Sequence, residues 1–356
     1  MFRASVIPLI VGLLGACSSG EPQGAGGSGT GAGETGGGDA GGMGGMGGEG
    51  GTPELLPTDV HFEPVAPVPS GEQILYNDWA QPDAVKTMQP DGSGAATIFR
   101  IDRVWSLGAS ANGDRLAIAC TDPKQEENYG LTLGDAIQHT WIYETATQTL
   151  TLAAGGNIND ECHSFSPNGD AVFVCRRYDF QLDNSFSGYR LGRIDLPHDF
   201  TWVTPESGDF ELNPQLTPDG ATLWFARIAL PSQTRSIETV AAAGGDPTVW
   251  RAQAHRPALS PDGTRVAFAD ITDQSALYVA PIAGGTPVKV AEAAGTKPTW
   301  SPDGSRIAYL AWDDAVTCAH VEITLADGST PSAPVRIVDC GVTGEQITQL
   351  SWLLRP

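Results

Sequence analysis

Short apolar segments alternate with polar turns along most of the chain. The segments at 264–270 and 305–311 are rich in β-branched and aromatic residues and show no helical period. Each of them therefore predicts a β-strand. The clearest region predicts four strands, at 256–260, 264–270, 276–282 and 287–292, and a second set follows at 298–301, 305–311, 318–325 and 335–340.

The turn between the first two strands of each set carries a repeated sequence. Ser-Pro-Asp-Gly stands at 260–263 and at 301–304, and related sequences stand at 110–113, 166–169 and 217–220. Pro fits the second position of a tight turn and Gly accepts a left-handed conformation, so each copy predicts a turn between antiparallel strands. The copies recur every 41 to 56 residues, which is typical of propeller blades or helical arrays, and the strand-rich flanks favour a propeller.

Longer sequences around these turns resemble a known repeat. Residues 257–268 and 298–309 follow the pattern P-x-[WL]-S-P-D-G-x-[RK]-[IV]-A-[FY] almost throughout, and three further copies follow it in part. This pattern resembles the TolB-type, WD40-like propeller repeat. The resemblance covers about 70–356 and implies a fold, but it is a poor guide to function because the motif lies at a structural turn.

The two ends of this region are predicted to share one blade. Segments at 73–76, 85–89 and 97–101 lack a first strand, whereas the segment at 346–352 is a first strand without a blade. Joining them closes a ring and removes open sheet edges. We therefore predict an all-β fold, a six-bladed β-propeller of four-stranded antiparallel blades, in which the last strand closes the N-terminal blade.

The N-terminal residues predict export. Arg3 precedes an apolar stretch, 4–14, that is too short for a permanent membrane-spanning helix, and a Leu-Gly-Ala-Cys sequence then ends at Cys17. This looks like a lipoprotein signal peptide, 1–16, which implies a lipid on Cys17; an ordinary signal peptide with a chance Cys is the alternative. Ser18 follows Cys17, which by resemblance to the enterobacterial sorting rule favours the outer membrane.

Composition divides the rest of the chain into three parts. Residues 17–52 are mostly Gly after the Cys and cannot bury a core, so we expect a disordered tether. Residues 53–70 contain more Pro and apolar side chains and predict an extended strap on the domain. Residues 71–356 carry the propeller, and their length suits a single all-β domain.

Charge narrows the choice of partners. The formal net charge is −22, from 42 acidic and 20 basic residues. Such a chain is repelled by nucleic acid and by anionic lipid. We therefore expect no nucleic-acid partner, with the charge serving either solubility or attraction to a cationic partner. We also expect a monomeric body.

The cysteines beyond Cys17 predict disulfides, because an exported chain enters a compartment that permits them. Cys162 and Cys175 lie symmetrically about one predicted turn, and Cys318 and Cys340 flank another. We predict both of these pairs, with Cys120 left as a thiol. A Cys120–Cys162 bridge between blades is the rival pairing.

The long polar connections on the face opposite the repeated turns are the candidate binding surface. Loops carry function more often than strands do, and these mix aromatic, charged and amide side chains as partner surfaces often do. The alternative is that they are solvated loops. The candidate rim residues are Arg103, Tyr129, Asp160, Glu161, His163, Arg176, Tyr178, Asn213, His255, Arg256, Lys297, Trp312 and Asp313.

Catalytic and metal-binding signatures are weak. The sequence has no Gly-x-Ser-x-Gly, no His-Glu-x-x-His and no Cys-x-x-Cys. His163 beside Asp160 and Glu161 could act as a general base, and the oxygens of these acids with Asn157 and Asn159 could hold Ca²⁺, but neither spacing is distinctive. We therefore predict no catalytic residue, no metal and no cofactor.

Two functions remain open from the sequence. The first is a lipid-anchored envelope protein whose propeller binds another envelope protein or a cell-wall component. TolB carries an α/β domain before its propeller, whereas a Gly-rich tether takes that place here, so membership in a Tol-type complex is not implied. The second is a secreted propeller enzyme, a polysaccharide lyase or glycoside hydrolase, with its site at the channel mouth.

Overall fold

A computed structural model describes residues 60–78, 81–123, 137–156, 158–179, 186–292, 296–313, 318–328, 335–338 and 347–356. These residues belong to one compact unit, Thr52–Pro356. They form β-strands throughout, apart from turns and one short 3₁₀ segment, Ile271–Asp273. The predicted signal peptide, tether and first part of the strap lie outside them.

The described strands are numbered β1 to β25 in chain order. They are β1 (Phe62–Pro64), β2 (Gly71–Asp78), β3 (Gln81–Met88), β4 (Ala96–Ile101), β5 (Val104–Ala109), β6 (Arg115–Thr121), β7 (Gln138–Glu144), β8 (Thr149–Ala154), β9 (Asp160–Phe165), β10 (Ala171–Tyr178), β11 (Gly188–Asp195), β12 (Asp199–Trp202), β13 (Phe210–Leu216), β14 (Thr222–Ala229), β15 (Thr234–Ala241), β16 (Thr248–Ala252), β17 (Ala254–Leu259), β18 (Arg265–Asp270), β19 (Ala276–Pro281), β20 (Val288–Ala291), β21 (Thr296–Trp300), β22 (Arg306–Asp313), β23 (Cys318–Leu325), β24 (Val335–Val338) and β25 (Ile347–Arg355).

The strands assemble into antiparallel units of four. The first unit is β5–β8, the second β9–β12, the third β13–β16, the fourth β17–β20 and the fifth β21–β24, each with its strands paired in chain order. The second and third units share one eight-stranded sheet, because β11 and β13 form a single parallel pair, Tyr189 with Phe210. The described residues thus form five sheets, not the six separate ones expected.

The predicted joining of the chain ends is confirmed. Strand β25 pairs antiparallel with β2, from Gly71 opposite Arg355 to Asp78 opposite Ile347. Strands β25, β2, β3 and β4 form the closing unit, and β1 adds a fifth strand along β4. The part of the predicted strap that is described therefore includes a strand of the sheet.

The first strand of every unit stands on the inside. Each contacts the first strand of the next unit, in the order β5, β9, β13, β17, β21, β25 and back to β5. The units are thus arranged around a centre, as the propeller prediction requires. Equivalent repeat positions of these strands therefore lie at one level of the ring.

The hydrophobic core lies between neighbouring units. Between the fifth and closing units, Ile74 and Met88 pack with Ala308, Val321 and Ile323. Fully burying a large apolar side chain stabilises a fold by about 1.5–3 kcal/mol, so these interfaces hold the ring together. The largest fully buried side chains include Tyr76, Tyr143, Tyr189, Tyr309, Phe99, Phe173, Phe225 and Phe268.

The repeated turns have the predicted geometry. Gly263 has φ +66°, and its amide donates to the Ser260 carbonyl at 2.8 Å. In the fifth unit, hydrogen bonds from Ser301 and Ser305 lower the pKa of Asp303 to about 2. The acid is thus ionised at neutral pH and closes the turn by accepting from its neighbours.

The arginine of the repeat motif ties one unit to the next. Arg265 donates to the Gly304 carbonyl at 2.8 Å and stacks over the ring of Trp300 at 4.8 Å. Arg306 likewise stacks over Trp352 at 4.9 Å and pairs with Glu72 at 2.7 Å. Stacking of this kind contributes about 0.5–1 kcal/mol at half-exposed sites.

Only one of the two predicted cysteine pairs, Cys162 with Cys175, lies within the described residues. Cys162 and Cys175 lie on neighbouring strands of one sheet, and the structure records no disulfide between them or with Cys120. The Cys162–Cys175 pair is therefore not shown. Cys340 lies outside the described residues, as does the Cys318 side chain, so their pairing stays a prediction.

Candidate functional site

The inner strands bulge at one repeat position on the face opposite the repeated turns. Cys162, Asn213, Arg256 and Lys297 each precede the first residue of the motif and have φ between 53° and 59°. The strand register shifts at each of these positions. A left-handed conformation costs a non-Gly residue about 1–2 kcal/mol, and bulges of this kind re-aim a side chain.

Three of these positions carry amide or cationic side chains that stay half-buried. They are Asn213, Arg256 and Lys297, which we call the bulge residues. They stand on consecutive first strands, β13, β17 and β21, and therefore at one level of the ring. Arg103, at the entry to the first unit, is also half-buried and stacks over Trp105 at 4.5 Å.

His163 is enclosed between the first and second units. Its Nδ1 lies 3.0 Å from the Ser106 hydroxyl, and its Nε2 lies 3.1 Å from the Thr140 hydroxyl. Thr140 donates to Asp160 at 2.9 Å, so its oxygen accepts from Nε2–H and Ser106 donates to Nδ1. Burial lowers the pKa of His163 to about 4, and the ring is neutral at pH 7.

Asp160 forms a buried ion pair with Arg176. The two carboxylate oxygens accept from Nε and Nη2 of Arg176 at 2.5 and 2.8 Å, and the guanidinium lies 3.6 Å from the centre of the Phe200 ring. Both partners are almost fully enclosed. In this bidentate contact between β9 and β10, both oxygens of Asp160 are bound by protein side chains.

The third unit repeats this pair at the same repeat positions. Glu211 corresponds to Asp160, and Arg227 corresponds to Arg176; their charged atoms lie 2.9 Å apart. Arg227 also pairs with Asp209 at 3.0 Å and with Glu238 at 2.9 Å. Burial raises the pKa of Glu211, although Thr204, Arg227 and the Leu191 amide oppose the shift.

Other predicted rim residues are also enclosed. Glu161 is 3% exposed and accepts from the Tyr189 hydroxyl at 2.9 Å. Tyr178 is 6% exposed, and burial raises its pKa. His255 is 7% exposed, and burial, with Arg256 and Arg235 nearby, lowers its pKa to about 3.

The predicted rim therefore divides into two groups. Asp160, Glu161, His163, Arg176, Tyr178 and His255 are buried, whereas Arg103 and the bulge residues remain half-buried. Tyr129 lies outside the described residues, as do the side chains of Trp312 and Asp313. Sequence reasoning missed four residues: Ser106, Thr140, Glu211 and Arg227. Only Glu211 and Arg227 could have been found, because they stand at the repeat positions of Asp160 and Arg176.

The described residues contain no group of three or more His, Cys, Asp or Glu that is placed to hold a metal ion. The Asp160 oxygens, considered above as Ca²⁺ ligands and not adopted, accept hydrogen bonds from Arg176 and Thr140. No helix in the described part of the chain is long and apolar enough to cross a membrane.

The fold is that of a TolB-like β-propeller. The chain is similar in structure to TolB from Acinetobacter baumannii, with a TM-score of 0.61, 16% identity, and coverage of 80% of this chain and 67% of that one. It is also similar to a chain of a nidogen–laminin complex, with a TM-score of 0.60, 11% identity, and coverage of 80% and 99%. A putative TolB from Agrobacterium tumefaciens is similar with a TM-score of 0.51 and 14% identity, and the match covers 76% of this chain and 90% of that one.

These identities are low, so the likenesses define the fold alone. No protein-family model matches the chain. No curated protein matches it either.

Proposed function

We propose that this protein is anchored in the cell envelope by a lipid on Cys17 and binds an envelope protein or cell-wall component through a TolB-like propeller. The propeller has six blades if the second and third units, which share one residue pair, count as two. Export followed by anchoring at the outer membrane, which the sorting rule favours, brings the propeller into the compartment where such partners occur.

The observation that carries the binding role is the placement of the bulge residues at one level on three consecutive inner strands. Asn213, Arg256 and Lys297 keep contact with solvent in a strained conformation that is repeated on consecutive strands. Backbone strain is often found at functional sites, and at these three positions it falls on polar side chains that contact solvent. Because three different units each place a polar side chain at this position, the surface favours a broad contact with a partner over a single small-molecule cleft.

The enzymatic alternative gains no support from the described residues. The group best suited to general-base chemistry, His163, has both ring nitrogens engaged and a pKa of about 4. The nearby acids are held by Arg176 and Tyr189. A base must reach a substrate proton, and these groups are enclosed within the protein.

Photo-crosslinking in intact cells tests the binding role. A photoreactive amino acid replaces Asn213, Arg256 or Lys297 in turn, with Val249, which is 61% exposed on the outer strand β16, as the control position. We expect the same discrete crosslinked partner from the ring positions and none from the control. Absence of that product at all three bulge residues, or equal capture at Val249, would contradict the proposal.

A separate variant tests the anchor. Cys17→Ala should abolish incorporation of labelled palmitate and release the protein from the membrane fraction, because Cys17 is the proposed acceptor. Ser18→Ala is the control and should keep both properties. Continued palmitate labelling of the Cys17 variant would refute the anchor while leaving the ring test unaffected.

A further inference from the structure

The turn face of the propeller has a bond that recurs in five units. In each unit, a backbone amide in the turn between the third and fourth strands donates a hydrogen bond to the carbonyl of the residue just after the repeated turn. The nitrogen–oxygen distances are 2.8–3.0 Å. This bond locks the two turns of one unit together. The donor and acceptor pairs are Thr145 and Asp114, Leu196 and Asp170, Ala242 and Ala221, Ile282 and Thr264, and Ala326 and Ser305.

No such bond is found in the described residues of the closing unit, because its first two strands, β25 and β2, are not connected by a repeated turn. Its third-to-fourth-strand turn is closed internally, since the Gln89 amide donates to the Ser93 carbonyl at 2.8 Å. A cavity of about 630 Å³ opens beside it, against the fifth unit. We call it the seam pocket, and its lining includes Glu72, Gln89, Asp91, Arg306, Ile323 and Leu325.

The floor of the seam pocket is apolar. Arg306 and Leu325 are opposite each other on β22 and β23, and Ile323 lies two residues from Leu325 on the same face. Ile323 belongs to the core between the fifth and closing units, and Leu325 is 38% exposed where that core ends. An aliphatic side chain entering the pocket would extend this core.

The mouth of the seam pocket is negative. Arg306 is occupied by Glu72 at 2.7 Å and by stacking over Trp352 at 4.9 Å. Asp91 is exposed, and hydrogen bonds from Ser93 lower its pKa, so it is ionised at neutral pH. Two carboxylates against one cation leave a net negative charge beside an apolar floor.

We infer that the seam pocket binds a partner peptide segment in which an aliphatic residue stands next to Lys or Arg. The aliphatic side chain contacts Ile323 and Leu325, and the cation pairs with Asp91 at the mouth. Charge complementarity selects this chemistry, because an acidic segment would be repelled by Asp91 and Glu72. The pocket lies on the face opposite the bulge residues, so this inference does not depend on the ring proposal.

Methyl NMR of the full chain tests the seam pocket. The probes are the peptide acetyl-Gly-Leu-Lys-Gly-amide and its acidic counterpart with Glu in place of Lys. The Lys peptide should shift the methyl signals of Ile323 and Leu325 and bind about threefold more tightly than the Glu peptide, as expected for one exposed charge pair.

Three variants complete the test. Asp91→Asn should weaken binding of the Lys peptide about threefold. Asp246→Asn, the matched control, removes an exposed acid from the corresponding turn of the third unit and should leave binding unchanged. Gln89→Trp should fill the mouth and abolish binding while circular dichroism stays native.

Three outcomes would each overturn the inference. They are the absence of methyl shifts at Ile323 and Leu325, equal binding of the two peptides, and equal effects of Asp91→Asn and Asp246→Asn. Selective binding that is lost in Gln89→Trp supports it.

Discussion

His163 should make the stability of the protein fall steeply in mild acid. Its pKa is about 4 in the folded protein, because burial disfavours the charged ring, against about 6.5 in the unfolded chain. The unfolded chain therefore takes up the proton first as the pH falls. The stability held above pH 6.5 is lost progressively between about pH 6.5 and pH 4, and the full loss is about 3 kcal/mol.

The perturbation that isolates this effect is His163→Gln. A carboxamide can accept from Ser106 and donate to Thr140, but it does not titrate. Imperfect packing should make the variant about 1–2 kcal/mol less stable near pH 7.5. Near pH 4.5 the difference should vanish or reverse, because protonation of this ring stabilises the unfolded state of the wild-type chain but not that of the variant.

Urea unfolding followed by tryptophan fluorescence, at several pH values from about 7.5 to 4.5, measures this difference. Ser106→Ala is the matched control. It removes one hydrogen bond to the ring but keeps the imidazole, so its stability should still fall over the same pH range. If His163→Gln loses as much stability as the wild-type chain between those pH values, the reasoning about His163 is refuted.

Two further predictions concern the ion pair and the turns. Arg176→Met should cost about 3–5 kcal/mol in urea unfolding, because it leaves Asp160 buried without a cation, and the double variant with Asp160→Leu should recover part of the loss. Gly263→Ala should lower the melting temperature more than Gly284→Ala does: both have positive φ, but only at residue 263 would the new Cβ lie 2.8 Å from Pro218. Equal melting temperatures for the two Gly variants would contradict this account of the turn.

The fold was predictable because its signals are local. The left-handed Gly of each repeated turn and the apolar strands on either side are encoded within about a dozen residues. Strand bounds were less accurate: the strand predicted at 256–260 is Ala254–Leu259, because a bulge at Arg256 lets the strand begin earlier. The number of separate sheets was not predicted correctly, because no sequence pattern signals the parallel pair of Tyr189 and Phe210 that joins two units into one sheet.

The site was harder to predict because enclosure depends on residues far along the chain. His163 is buried by Ser106 and Thr140, which are 57 and 23 residues away, so its own neighbours in sequence give no sign of it. The repeat alignment held one usable signal. An acid and an arginine stand at equivalent positions in the second and third units, as expected of a structural ion pair and not of a unique catalytic group.

Strand β25 pairs with β2 in one register, and this pairing closes the ring. Glu72 lies opposite Leu354 in this register, so their side chains share a face and their Cβ atoms are about 5 Å apart. A Glu72→Cys/Leu354→Cys variant should therefore form an intramolecular disulfide, identified by mass spectrometry, and gain thermal stability. Glu72→Cys/Leu353→Cys, shifted by one residue to the other face, should not form it. A disulfide in the shifted variant alone, or in neither, would contradict the closure of the ring.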